Sequence, residues 1–210
     1  MATANPSTSP AAAKKQGKLT SKNLIALGVF SVLFIVVTML VIGLCSMSVI
    51  AYAASVALAA IPAGIVWTYV HARIPRFGTS LIMAAIFGIV VFAMGSGWPV
   101  ALGLLAGGVV SEAARKLIGY RRFAGIAVGY ALFQVCYAAG LFVPMFAAQD
   151  YYRSLMGSNS IDPAFMESLL ATVTPETFVL IAAGSFAGGI VGALLGRAVL
   201  KKHFVRAGIA

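Results

Sequence analysis

Six apolar stretches, separated by short polar segments, follow one another between residues 23 and 199. Each is near the ~20 residues that a helix needs to cross a bilayer. The pattern therefore predicts an all-α integral membrane protein, a bundle of six transmembrane helices forming one membrane domain over residues 23–200. The predicted spans are residues 23–44, 49–70, 79–94, 99–114, 123–146 and 176–199.

Capping signals divide the long polar segment between the fifth and sixth spans. Asp162 followed by Pro163 combines an N-cap side chain with a proline at the first helical position. A short helix to about residue 172 is therefore expected in this loop. Residues 174–176 (TPE) repeat the start signal for the sixth span.

Basic residues occupy alternate gaps between the spans. Of the 15 Lys and Arg, all except Arg153 fall in the two terminal segments, at the last turn of the sixth span (Arg197) or in the loops after the second and fourth spans. Cytoplasmic loops of membrane proteins accumulate Lys and Arg. Both termini and these two loops are thus predicted to be cytoplasmic, and the short helix near residue 162 to be extracellular. The acidic residues of the opposite loops are Asp150, Asp162, Glu167 and Glu176.

The net charge of +10 would otherwise suggest a nucleic-acid partner. Nucleic-acid surfaces collect their charges on one folded face with aromatic residues between them, whereas these charges are spread over separate loops. Residues 1–22 lack a large apolar cluster and are predicted to be a disordered, basic cytoplasmic tail. Residues 201–210 are expected to form a second basic cytoplasmic tail.

The first apolar run has an alternative interpretation as a signal peptide, because residues 51–53 (AYA) resemble a cleavage site. Residues 24–44 are too long for a typical signal core, which spans roughly 7–15 residues. We therefore favour an uncleaved first span.

Glycines recur every fourth residue in the sixth span, at Gly184, Gly188 and Gly192. Such spacing leaves one helix face smooth, so that another backbone can approach closely. Two interpretations stay open: packing within the bundle, and docking to a separate membrane subunit.

Residues with catalytic chemistry are scarce. Glu112 is the acid nearest to a span centre, and it is expected about one turn from the inner surface, paired with Arg115 or Lys116. His71 and His203 are expected to be interfacial. No phosphate-binding loop for ATP occurs, and neither the histidines nor the two cysteines form a metal-ligand cluster. We therefore predict no catalytic site, no metal and no cofactor in this chain.

Candidate binding residues gather at the outer turns and the outer half of the fifth span. If these turns converge, they make an apolar pocket with a few polar groups, the usual form of a small-molecule site. A buried amide on the fifth span must bond either a neighbouring helix or a ligand, and the outer aromatics can alternatively serve as interfacial anchors. The candidates are Ser96, Trp98, Gln134, Tyr137, Asp150 and Tyr151. Arg153 is expected to pair with Asp150.

Several segments, in this order, match a known family. They are residues 19–24 (LTSKNL), 72–78 (ARIPRFG), 94–98 (MGSGW), 111–120 (SEAARKLIGY), 140–146 (GLFVPMF) and 150–152 (DYY). Through them the chain resembles the substrate-binding (S) components of energy-coupling factor (ECF) transporters, and within these the MptS/Trep_Strep-type group.

The resemblance implies a protein of the bacterial plasma membrane that captures a small nutrient outside the cell. It also implies partners: a transmembrane T subunit and two A subunits that hydrolyse ATP. S components of the family commonly dock through a small-xxx-small face on the first span. The corresponding residues here form a looser patch of Ala26, Gly28 and Ser31. The alternatives are a self-sufficient carrier or channel, and a membrane enzyme or scaffold.

Overall fold

The computed structural model describes residues 20–159 and 161–204. In those residues the secondary structure is entirely helical, as predicted, and comprises nine helices. They are α1 (Ser21–Cys45), α2 (Val49–Ala53), α3 (Ser55–Arg73), α4 (Thr79–Ala93), α5 (Trp98–Ile118), α6 (Phe123–Ala147), α7 (Gln149–Ser158), α8 (Pro163–Thr172) and α9 (Pro175–Phe204).

Four of these helices are long and apolar enough to cross a membrane: α1, α3, α6 and the Pro175–Lys202 part of α9. The shorter α4 is also apolar, and α5 runs for 21 residues beside it. These lengths and compositions are those of a multi-pass membrane protein.

The predicted second span consists of two helices, α2 and α3, that meet at Ala54. The Ala54 N–H donates to the Ile50 carbonyl at 3.2 Å, and the Ala54 carbonyl accepts from the Leu58 N–H at 3.0 Å. Because the hydrogen-bond ladder continues across the junction, α2 leads directly into α3. Helix α3 then continues through Pro62.

Side-chain caps begin three of the helices. Thr20 Oγ1 accepts from the Asn23 N–H at 3.4 Å at the start of α1. The predicted starts at Asp162 and Thr174 are confirmed, since Asp162 Oδ1 accepts from the Ala164 N–H at 3.1 Å and Thr174 caps α9. Of the predicted tails, residues 1–19 and 205–210 lie outside the described residues, and α9 extends to residue 204.

The six long helices form a closed ring in the order α1, α3, α9, α6, α5, α4 and back to α1, with α3 also touching α6 across the middle. Aromatic side chains fill the centre. The Phe34 ring lies 5.8 Å from Trp67 and from Phe87, and 6.3 Å from Tyr130, centroid to centroid. Four helices thereby share one aromatic core.

The α9 glycine stripe faces α3. A Cβ added at Gly188 or Gly192 would collide with the backbone of Ala57 or Ala60 respectively, whereas one at Gly184 would be 3.8 Å from the Ala57 Cβ. The stripe therefore packs within the bundle, which is the first of the two interpretations offered by the sequence.

The looser patch on α1 is not a single surface. Ser31 is buried against the bundle, Ala26 is half-buried, and a Cβ added at Gly28 would meet none of the described atoms within 4 Å. The rest of the outward face of α1 is apolar and exposed. It includes Ile25, Val29, Val32, Val36 and Leu40.

Candidate functional site

Helices α7 and α8 cover one end of the bundle, and we refer to residues 149–159 and 161–172 as the cover. At the end of α7, Asn159 Nδ2 donates to the Gly95 carbonyl in the α4–α5 turn at 3.1 Å. On α8, the Phe165 ring lies 6.3 Å from the Tyr52 ring of α2. The cover is thus attached to two different sides of the ring of helices.

An ion pair joins the two helices of the cover. Arg153 Nε lies 3.0 Å from Glu167 Oε1, and Arg153 Nη2 lies 3.3 Å from Glu167 Oε2, a two-pronged contact. The hydrogen bond from Arg153 lowers the pKa of the Glu167 carboxyl. Asp150, the partner expected from the sequence, is more distant, at 3.8 Å from Nη1. The main partner of Arg153 is therefore on α8 rather than on its own helix.

Two adjoining cavities lie beneath the cover, with volumes of about 280 Å³ and about 70 Å³. The larger is close to the ~300 Å³ lower limit of small-molecule pockets. The side chains common to both are Tyr52, Ser96, Tyr152 and Met156. Burial raises the pKa of the Tyr152 phenol, so the phenol remains neutral and keeps its proton. The lining of the two cavities is mostly apolar, includes several aromatic rings and has no charged side chain among the residues that the structure describes.

The structure places four of the six candidate residues at or near this end. Ser96 lines both cavities and Tyr151 lines the smaller. Trp98 is 56% exposed at the rim, and its ring lies 5.8 Å from that of Tyr151. The Asp150 carboxylate is fully exposed and lines neither cavity.

The other two candidates, Gln134 and Tyr137, lie in the core on α6. Tyr137 is buried and packs its ring 5.3 Å from that of Phe87. Gln134 is 1% exposed, and neither atom of its amide has a hydrogen-bond partner in the described part of the chain. An unsatisfied buried polar group costs roughly 1–3 kcal/mol. The bond to a neighbouring helix, one of the two roles expected for it, is thus not formed.

Two buried hydroxyls lie at a similar depth to Gln134. Adjacent glycines of α9 contact Ala57 of α3 and Ala131 of α6, which aligns the three helices. Three polar residues, Ser55, Ser185 and Gln134, each lie one helical turn or less from these contacts, on the side toward the cover. Both hydroxyls are buried and, within residues 20–159 and 161–204, unpartnered. We call these three residues the buried polar triad; it offers donors and acceptors that no described side chain uses.

Sequence reasoning missed most residues of this site. Tyr52 belongs to an apolar run, where an aromatic has the same appearance as a core residue, and Ser55 and Ser185 are small hydroxyls inside spans. The available signal was in α7. Its apolar side chains at residues 151, 152, 155 and 156 follow helical spacing and form the face that lines the cavities.

A family model described as a hypothetical bacterial integral membrane protein (Trep_Strep) matches residues 21–206. The chain belongs to the Trep_Strep family. No curated protein and no solved structure matches it significantly.

The Trep_Strep chain has a second polar cluster, toward the end of the bundle opposite the cover. Glu112 Oε1 accepts from the Ser80 N–H at 2.7 Å and lies 3.5 Å from Arg115 Nη1. The expected pairing of Glu112 with Arg115 is present, and both side chains are buried. The two charges are therefore sealed inside the bundle rather than exposed at a membrane surface.

His71 joins this cluster, contrary to its expected place at the membrane interface. It is fully buried, with Nδ1 2.8 Å from the Trp67 carbonyl and Nε2 3.0 Å from Ser80 Oγ. Its ring stacks on Trp67 at 4.1 Å between ring centroids and reaches Ser80 in the first turn of α4, so that the last turn of α3 contributes a side chain to the bundle interior. Helices α3, α4 and α5 of the Trep_Strep protein are thus connected by one buried polar network.

Proposed function

We propose that this protein is the substrate-binding component of an ECF-type importer. It captures a small nutrient at the outer end of the bundle and delivers it inward together with a transmembrane T subunit and two ATP-hydrolysing A subunits. In this proposal the six long helices span the bacterial plasma membrane, both termini are cytoplasmic, and the cover is extracellular.

The charge distribution supports that orientation. Arg73, Arg121 and Arg197, which come from three different segments of the chain, line one cavity together. Glu167 lies on α8 of the cover, and Glu176 lies in the first turn of α9, directly after the cover. Basic side chains favour the cytoplasmic side, which supports an outward-facing cover.

The observation that carries the proposal is the pair of adjoining cavities beneath the cover, which no charged side chain of residues 20–159 or 161–204 lines. Their lining supplies uncharged aromatic and aliphatic walls together with the hydroxyls of Ser96 and Tyr152. The buried polar triad lines neither cavity, but it lies deeper in the bundle and holds donors and acceptors that no described group uses. Binding sites for small molecules combine such apolar walls with a few placed polar groups. The substrate that fits this chemistry is a small, largely uncharged molecule with both donor and acceptor groups.

Other features of the chain support the roles that the proposal gives to the T and A subunits. The sequence has no phosphate-binding loop for ATP, so energy would come from the A subunits. The exposed apolar face of α1, with room at Gly28 for close approach, is a suitable surface for the T subunit.

The test is to co-express the chain with T and A subunits from the same genome and to identify the small molecule that co-purifies. We expect a stable complex, and uptake of that molecule that stops when the A subunits lack ATPase activity. Tyr151→Ala should reduce the co-purified amount several-fold, whereas Asp150→Asn, the adjacent exposed control, should not. Uptake by the chain alone would contradict the proposal.

One observation favours a second function, that of a self-sufficient carrier. Ionisable residues buried between membrane helices often mark ion or proton pathways, and Glu112, Arg115 and His71 are such residues. A carrier would move the co-purified molecule into liposomes that contain only this chain, and Glu112→Gln would slow that transport.

A further inference from the structure

A large basic cavity opens at the end of the bundle opposite the cover, with a volume of about 1270 Å³. We call it the basic vestibule. Its lining contains six cationic side chains and, among the described residues, no acidic one. The six are Arg73, Arg76, Arg121, Arg122, Arg197 and Lys201. They come from the end of α3 and the loop after it, the α5–α6 loop and the last turns of α9, so folding gathers like charges that are distant in sequence.

The vestibule also has an apolar wall. Phe123, Ile126 and Leu200 contribute to its lining. The Arg197 guanidinium lies 4.6 Å from the centre of the Phe123 ring, a cation–π contact that holds its charge against this wall. Cationic and apolar surfaces thus meet within one concave site.

We propose that the basic vestibule binds the phosphate-bearing headgroup of an anionic phospholipid, with the upper part of an acyl chain against the apolar wall. Like charges held in a concave site raise the local concentration of anions. Basic pockets between the ends of membrane helices suit lipid headgroups. The proposal goes beyond the proposed transport function and does not depend on it.

The apolar wall distinguishes this ligand from the other anions that the charges alone would attract. A free phosphate ion uses the cations but leaves Phe123, Ile126 and Leu200 without a contact. An acidic protein segment would meet the charges from the aqueous side. A phospholipid satisfies both surfaces, and it is already present where the helices end.

The test is native mass spectrometry of the full-length protein with added phosphatidylglycerol, using phosphatidylcholine as the uncharged comparison and glycerol 3-phosphate as the headgroup without chains. Arg121→Gln/Arg197→Gln removes two charges from the vestibule. Lys116→Gln/Lys202→Gln is the matched control: it removes two exposed charges from the same end of the bundle that do not line the vestibule.

We expect wild-type protein to retain phosphatidylglycerol over phosphatidylcholine, and the vestibule variant to bind it about tenfold more weakly. The control pair should bind it like wild type. Equal binding of the two lipids, or equal loss in the two double variants, overturns the proposal. Glycerol 3-phosphate that binds as tightly as the lipid would also overturn it, because the site would then belong to a soluble phosphate.

Discussion

The Arg115 guanidinium lies 3.5 Å from the Glu112 carboxylate, and both side chains are buried between α4 and α5. Glu112 also accepts the Ser80 N–H at the start of α4. This carboxylate therefore has two roles at once: it neutralises a buried cation and fixes the first turn of a neighbouring helix.

Removal of the Glu112 charge should destabilise the protein strongly. Glu112→Leu leaves Arg115 as an uncompensated buried cation, and breaking a buried pair costs about 3–5 kcal/mol. The thermal unfolding midpoint in detergent should fall sharply. Glu112→Leu/Arg115→Met should recover much of the loss, because both charges are then absent. If Glu112→Leu alone proved as stable as wild type, the Glu112–Arg115 pair would have to be hydrated rather than buried.

Gly192→Ala should destabilise the protein through α3–α9 packing. The new methyl group would collide with the Ala60 backbone, and overpacking of this kind costs typically 1–3 kcal/mol. The matched control is Gly28→Ala on α1, where the added methyl has open space. Thermal unfolding of both variants in the same detergent provides the measurement. Equal unfolding midpoints for Gly192→Ala and Gly28→Ala would mean that α3 and α9 are not in close contact.

Gln134→Leu should leave the ligand-free protein as stable as wild type or stabilise it by up to about 3 kcal/mol. The substitution removes a buried amide that makes no hydrogen bond in the described structure, and such a group costs roughly 1–3 kcal/mol. The same variant should lose the co-purifying small molecule. Gln149→Leu, an exposed position, controls for the change of residue type. A clear drop in unfolding midpoint for Gln134→Leu would show that the amide has a structural partner.

The cover should loosen in acid. Arg153 lowers the pKa of Glu167, so the folded state favours the ionised carboxylate. The resulting stabilisation is present above the ordinary Glu value of about 4.3 and is lost as the pH falls through the lower folded value. Hydrogen exchange across residues 149–172, corrected for intrinsic rates, should show weaker protection at pH 3 than at pH 6.

Glu167→Gln is the control for this acid effect. In this variant the amide hydrogens of the cover should exchange rapidly at both pH values, because Arg153 has no ionised Glu167 to pair with at either pH. Asp150→Asn, which removes the more distant carboxylate, should keep the pH dependence of wild type. A pH response that survives in Glu167→Gln would assign the loosening to another group.

Much of the fold was predictable because its signals are local. Apolar runs of membrane length predict long helices wherever they occur, and the caps at Asp162 and Thr174 predict helix starts from a few adjacent residues. Helix α7 was missed because its N-cap position is Ala148, which supplies no capping side chain. Its polar composition then suggested a loop.

The site was predictable only in part, since burial and depth depend on how helices pack. Ser96 and Tyr151 were recognisable as polar or aromatic residues at outer turns. Tyr52 was hidden within an apolar run. The burial of His71 and Arg115 depends on side-chain contacts that α3, α4 and α5 make only in the folded bundle, and neither residue type nor spacing contains that information.

The aromatic centre around Phe34 has a consequence for the proposed transport function. Rings from α1, α3, α4 and α6 contact one another there. A pore through the middle would require four helices to separate and their rings to lose contact together. Under the proposed transport function, reorientation of the intact bundle in the lipid would leave those contacts in place, whereas a channel would break them.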